Sequence, residues 1–216
     1  MRSDCLHVAR ARSRALRHRL RVGLAPLCAA ALLGGCALLG KGKALSLRYF
    51  ELHADSTHTP AHTAPAQRLR LGQVSAARHL DRRLVQRTSA HEIRYHEEWR
   101  WTDQPETFLR RALSRDLFER AGITRVLSGA APTLEVELTA LEERSQGGRQ
   151  RAFASALALL HDERDQLWQE TLEVSVEVGE GDPAEALAHA LGRALGELCA
   201  QLTAETLAAL PTAAAD

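Results

Sequence analysis

Three stretches between Leu134 and Val178 are built on a period of two, each separated from the next by a short turn. Leu134, Val136, Leu138 and Ala140 alternate with Glu135, Glu137 and Thr139, and Trp168, Leu172, Val174, Val176 and Val178 alternate with Gln169, Thr171, Glu173, Ser175 and Glu177. A strand points successive side chains to opposite faces, so both stretches read as antiparallel strands with one wet face. Between them, Phe153, Ser155, Leu157 and Leu159 oppose Ala152, Ala154, Ala156 and Ala158. A strand apolar on both sides belongs at the centre of a sheet or beneath a cover. Gln146-Gly147-Gly148 and the residues from His161 to Asp165 supply the two turns. An antiparallel meander is thereby set, and the rest of the chain must cover it.

Two helices are available for that purpose. Asp182-Pro183-Ala184-Glu185 combines an N-cap acceptor, a proline at the first helical position and a glutamate at the third. The helix it opens carries Leu187, Leu191, Leu195, Leu198, Leu202 and Leu207 on one stripe and runs to about Leu210. Gly192 and Gly196 cost helix propensity but allow close backbone approach, which places them near the sheet. Its polar side lacks the Lys/Arg excess of a membrane-surface helix. A second helix opens at Pro105, with Glu106 in its first turn, and ends at Gly122. Phe108, Leu109, Ala112, Leu113, Leu117 and Ala121 form its buried stripe, and Arg110, Arg111, Asp116 and Glu119 face water.

Further strands are read at Leu45 to Leu52, Gln67 to Val74, Arg82 to Arg87 and His91 to Trp101, with a short one within Ile123 to Leu127. In the fourth of these, Ile93, Tyr95, Glu97, Trp99 and Trp101 share one face while Arg94, His96, Glu98 and Arg100 share the other. The two tryptophans are expected to pack the sheet against a helix. The fold class that follows is α+β, a mainly antiparallel sheet with two amphipathic helices packed on it as one domain.

The N-terminus obeys different rules. The first 35 residues hold seven arginines against the single acid Asp4, and Val22 to Gly40 are 19 residues without a charge. An Arg-rich start, an apolar run from Gly23 to Leu33 and then small residues have the form of a secretory signal. Leu33-Gly34-Gly35-Cys36 is similar to the bacterial lipobox, whose cysteine is lipidated and becomes the first mature residue. An uncleaved membrane anchor is the alternative, although Gly23, Pro26, Gly34, Gly35 and Gly40 dilute the apolarity that a span of ~20 residues needs. The expected organisation is a signal peptide at 1–35, a lipidated tether at 36–44, a body at 45–210 and a disordered tail at 211–216. Cys5 and Cys28 leave with the signal and Cys36 is blocked, so Cys199 remains alone as a small core residue and no internal disulfide forms.

Several chemistries are excluded or disfavoured. Beyond residue 35 there are 21 basic and 26 acidic side chains, a net charge of −5 that gives no general attraction for nucleic acid. His53, His58 and His62 lie in an aperiodic segment with Asp55 as the accompanying acid, a poor basis for zinc. His91-Glu92 begins like H-E-x-x-H, but the second imidazole is His96, five positions on and on the opposite face of a strand. No G-x-S-x-G or Walker A loop is present, and Glu97-Glu98 and Glu142-Glu143 are adjacent strand residues pointing to opposite faces. No catalytic residue, cofactor or metal ligand is assigned.

Arg83-Leu84-Val85-Gln86-Arg87, Tyr95, Trp99-Arg100-Trp101, Pro105 with the helix after it, and the turn leading to the Trp168 strand resemble the ABC-type transport auxiliary lipoproteins, the paraquat-inducible protein C group. The resemblance spans most of Leu45 to Leu210. It implies a lipid-anchored, periplasm-facing, non-catalytic component at the outer membrane, with Cys36 as its lipid-attachment residue. Its implied partners are a mammalian-cell-entry domain protein and ABC transporter subunits, its cargo phospholipid or another hydrophobic molecule, and a homo-oligomer is compatible with it. The absence of Asp after the cysteine, where Ala37 stands, fits release to the outer membrane. An outer-membrane assembly lipoprotein that binds a barrel protein is the second expectation.

Overall fold

Small side chains decide how closely a helix can approach a sheet, and β7 (Arg149–His161) supplies a row of them: Ala152, Ala154, Ala156 and Ala158 are all fully buried. Against that row lies α2 (Pro183–Ala209), burying Leu187, Leu191, Leu195, Leu198 and Leu202. The computed structural model describes residues 45–54 and 67–211, whose compact unit begins at Ser46. Its other strands are β1 (Arg48–Phe50), β2 (Arg68–Ala76), β3 (Arg83–Ser89), β4 (Glu92–Trp101), β5 (Thr124–Arg125), β6 (Thr133–Gln146) and β8 (Gln166–Glu177). The remaining helix, α1 (Pro105–Ser114), continues through a π-helical segment at Arg115–Arg120 and ends where Gly122 takes a φ of +72°. The eight strands form one open sheet with both helices on one face, an α+β fold of mainly antiparallel pairing.

β7 is central, as its two-sided apolarity requires: β6 and β8 pair along its two edges, both antiparallel. On its other edge β6 is shared, Thr133 to Leu138 pairing mainly with β2 and Glu142 to Arg144 with β3. Those two ladders are parallel, as are β1–β4 and β2–β5, so the sheet is mixed around an antiparallel centre. Parallel pairing is available because the chain crosses the sheet through α1 before entering β6.

Two irregularities correct the face assignments made from strict alternation. A register shift at Thr139 puts Ala140 opposite Ser155 after Leu138 lies opposite Ala156, so Ala140 leaves the face of Leu138. In β4, His96 to Trp99 intervene between the partners of Val85 and Arg83, where β3 has only Leu84. The bulge brings together two rings that alternation separates, and His96 stacks on Trp99 with centroids 4.1 Å apart. Trp101 meets the expectation, buried edge-on against Phe108 of α1. The first strand is shorter than its sequence pattern, three residues instead of eight.

Gly192 is required by a close approach, to the segment after β1. A Cβ there would sit 2.6 Å from the His53 carbonyl oxygen. Gly192→Ala is expected to lower the unfolding free energy by ~1–3 kcal/mol in urea titrations, because backbone must move. The helix propensity gained, about 1 kcal/mol, only partly offsets this. Gly72→Ala is expected to cost less, since the Cβ would meet Thr133 Cγ2, a side-chain atom, at 2.8 Å.

The start of α2 forms as its sequence directs. Asp182 Oδ1 accepts from the Glu185 amide at 3.0 Å, and Arg48 of β1 reaches Asp182 at 2.9 Å and Glu185 at 3.3 Å. The amide first, and the Arg48 guanidinium after it, hold the Asp182 carboxyl below its ordinary value of 3.8. A carboxyl depressed by folding contributes stability above its unfolded value and loses it as pH falls through the folded one. The urea midpoint is therefore expected to drop as pH is taken below 3.8, and to drop less in Asp182→Asn, which keeps a capping oxygen but does not titrate.

Candidate functional site

Cys36, the residue to which the sequence assigns lipid attachment, lies outside the described residues, as do His58 and His62. Within the body, the concentration of charge most unlike a solvated surface is on β6. Glu142 and Glu143 are both buried and, as neighbours on a strand, leave by opposite faces. Glu142 shares its face with Phe153 and accepts from Arg87 Nε and Nη2 at 2.5 and 3.0 Å and from Arg144 Nε at 2.8 Å. The Arg144 guanidinium also lies 3.2 Å from the Phe153 ring centroid. Glu143 emerges on the alanine face, bonded to His96 Nε2 at 2.8 Å and Gln86 Nε2 at 3.2 Å. The Thr139 register shift and the β4 bulge make this arrangement possible.

Chemically, the two carboxylates are separated by the sheet and each is engaged by its own partners. They cannot act on one bound molecule as an acid and base pair, and together they clamp β3 and β4 to β6. Sequence reasoning found their opposite orientation but not their burial. Arg87 and Arg144 are opposite each other only through the β3–β6 register, which has no local signal.

The remaining candidates are placed as follows. Cys199 is buried in α2, and burial first, then nearby Asp116, pushes its thiol well above the usual range, so it is a core residue and not a thiolate nucleophile. His53 borders a surface groove of about 330 Å3 with Phe50, Glu185, His189 and Arg193. Among the described residues no group of three or more His, Cys, Asp or Glu side chains is placed to hold a metal. Among them, too, no helix is long and apolar enough to cross a membrane.

A family model described as the ABC-type transport auxiliary lipoprotein component matches residues 50–203. Among solved structures, one of a protein from Xanthomonas campestris superposes with a TM-score of 0.67 at 20% identity, covering 75% of this chain and 96% of that one. A second, of an uncharacterized protein, gives 0.59 at 18% identity over 74% of this chain and 98% of its own. A minor lipoprotein from Acinetobacter baumannii gives 0.47 at 12% identity over 68% and 98%. No curated protein matches.

Proposed function

The chain belongs to the ABC-type transport auxiliary lipoprotein family, and from that membership we propose that it is a non-catalytic, periplasm-facing component of a system moving phospholipid or other hydrophobic cargo between membranes. The observation that carries this is the family match, which runs from the last residue of β1 through β2 to β8 and all of α1 and into α2 as far as Thr203. The lipobox-like Leu33-Gly34-Gly35-Cys36 supports a diacylglyceryl anchor on Cys36, and Ala37 after it supports the outer membrane. Buried carboxylates engaged by arginines and histidine, and a buried thiol, support a docking body over an enzyme. A tethered body meets membrane-bound partners at high effective concentration, so modest contact surfaces suffice.

The partners in this reading are a mammalian-cell-entry domain protein and ABC transporter subunits. Affinity purification of the intact lipoprotein from detergent-solubilised envelopes is expected to recover both. Recovery of an outer-membrane barrel protein in their place would overturn the transport reading in favour of barrel assembly.

A further inference from the structure

Strand β1 has two different faces. Arg48 points toward α2 and is held by Asp182 and Glu185. Phe50, opposite Trp101, shares that side and packs against the core. Tyr49 is paired with Arg100 and leaves by the helix-free face, 61% exposed. Leu47, two residues earlier and just ahead of the strand, is 44% exposed. These are two of the few large apolar side chains the described surface displays, at the point where the body begins.

We infer that Leu47 and Tyr49 rest on the phospholipid surface to which Cys36 is anchored, fixing how the body stands on the membrane. The inference rests on the anchoring proposed above. Extended chain spans at most ~3.6 Å per residue, so Leu47, eleven residues after Cys36, stays within ~40 Å of the anchored sulfur. Lys41 and Lys43 lie in that connection with no acid between Cys36 and Leu47, and lysines beside an anionic leaflet are drawn onto it, which shortens the working distance. Tyrosine is suited to such an interface, its ring among acyl ends and its hydroxyl among headgroups. The exposed Glu97 and Glu98 of the adjoining β4 bulge oppose deeper entry and keep the contact at headgroup level.

A protein strand added to β1 is the competing occupant, since among the described residues β1 pairs with β4 alone and its other edge has no strand beside it. Strand addition satisfies edge amides and carbonyls and leaves the face side chains uncovered. A surface laid against the face covers them, and the bilayer is the surface the tether guarantees.

The test uses the full lipidated chain in vesicles of phosphatidylethanolamine and phosphatidylglycerol, three to one, with a nitroxide on Tyr49→Cys or Leu47→Cys. Leu127→Cys is the reference: Leu127 is 81% exposed and follows β5, at the opposite end of the strand order. Buried Cys199 does not compete for the label. On vesicle binding, collisions with oxygen are expected to rise and collisions with a water-soluble nickel chelate to fall at positions 47 and 49, with no change at 127. Acyl mass on Cys36 together with labels at 47 and 49 as wet as that at 127 would overturn this inference and leave the anchor standing. A chain without acyl mass on Cys36 would overturn both. Shielding at 47 and 49 that requires an added protein would also overturn it, in favour of strand addition.

Discussion

Replacing Arg87 and Arg144 together by alanine is expected to lower the unfolding free energy by ~3–5 kcal/mol, because it leaves a buried carboxylate without its counter-charges. The expected cost is asymmetric across the cluster. Glu142 is fully buried, whereas the side chains of Arg87 and Arg144 are 27% and 36% exposed. Remove the carboxylate, as in Glu142→Leu, and each guanidinium can turn its head to water while its stem stays on the sheet. Arg144 keeps the Phe153 ring in addition. That variant is expected to cost about 1–2 kcal/mol, chiefly repacking strain. Replacing all three by Met, Met and Leu is expected to recover most of the loss, since a well-packed apolar group needs no desolvation of charge. Urea unfolding with linear extrapolation measures all three variants. Equal losses in the double arginine variant and in Glu142→Leu would show that the carboxylate is not the group whose burial matters.

That cluster also marks where the sequence stops being informative. The parts legible in advance depend on neighbours along the chain. The two-sided apolarity of β7 declares a strand at the centre of the sheet, and Asp182-Pro183-Ala184-Glu185 declares a helix start whose cap bond is present at 3.0 Å. The helix from Pro105 is legible in its apolar stripe and its glycine stop, though not in the π-helical winding of Arg115–Arg120, which buries Asp116 where the helical pattern has it face water. What could not be read depends on register between distant strands. One extra residue at Thr139 moves Ala140 to the other face and carries Glu142 toward Phe153 and Glu143 toward the alanines. The β4 bulge likewise stacks His96 on Trp99 despite an odd spacing. Parallel ladders from β6 to β2 and β3 leave no mark in periodicity, because alternation reports faces and says nothing of direction. Glu142-Glu143 consequently looks like two solvated acids until the register is known.

The largest effect is expected at Cys36, where Cys36→Ala should move the protein from the detergent phase to the aqueous phase on cloud-point partition of whole envelopes. Each methylene buried in a bilayer contributes about 0.8 kcal/mol, and one acyl chain gives only reversible binding, so two chains on a diacylglyceryl cysteine make the difference between transient and stable attachment. Without the thiol there is no atom to carry them. The leader would remain joined, and the question is whether Val22 to Gly40 can hold the chain by itself. Its densest apolar part, Leu27 to Leu33, is seven residues, against the ~20 that a spanning helix needs. The exposed large apolar side chains among the described residues are Leu45, Leu47 and Tyr49 at the start of the body and Leu127 at the other end of the strand order, too few to substitute for an anchor. A variant that stays in the detergent phase with its leader attached would show that the segment spans the membrane, and that the thiol at position 36 is incidental to how this body is held.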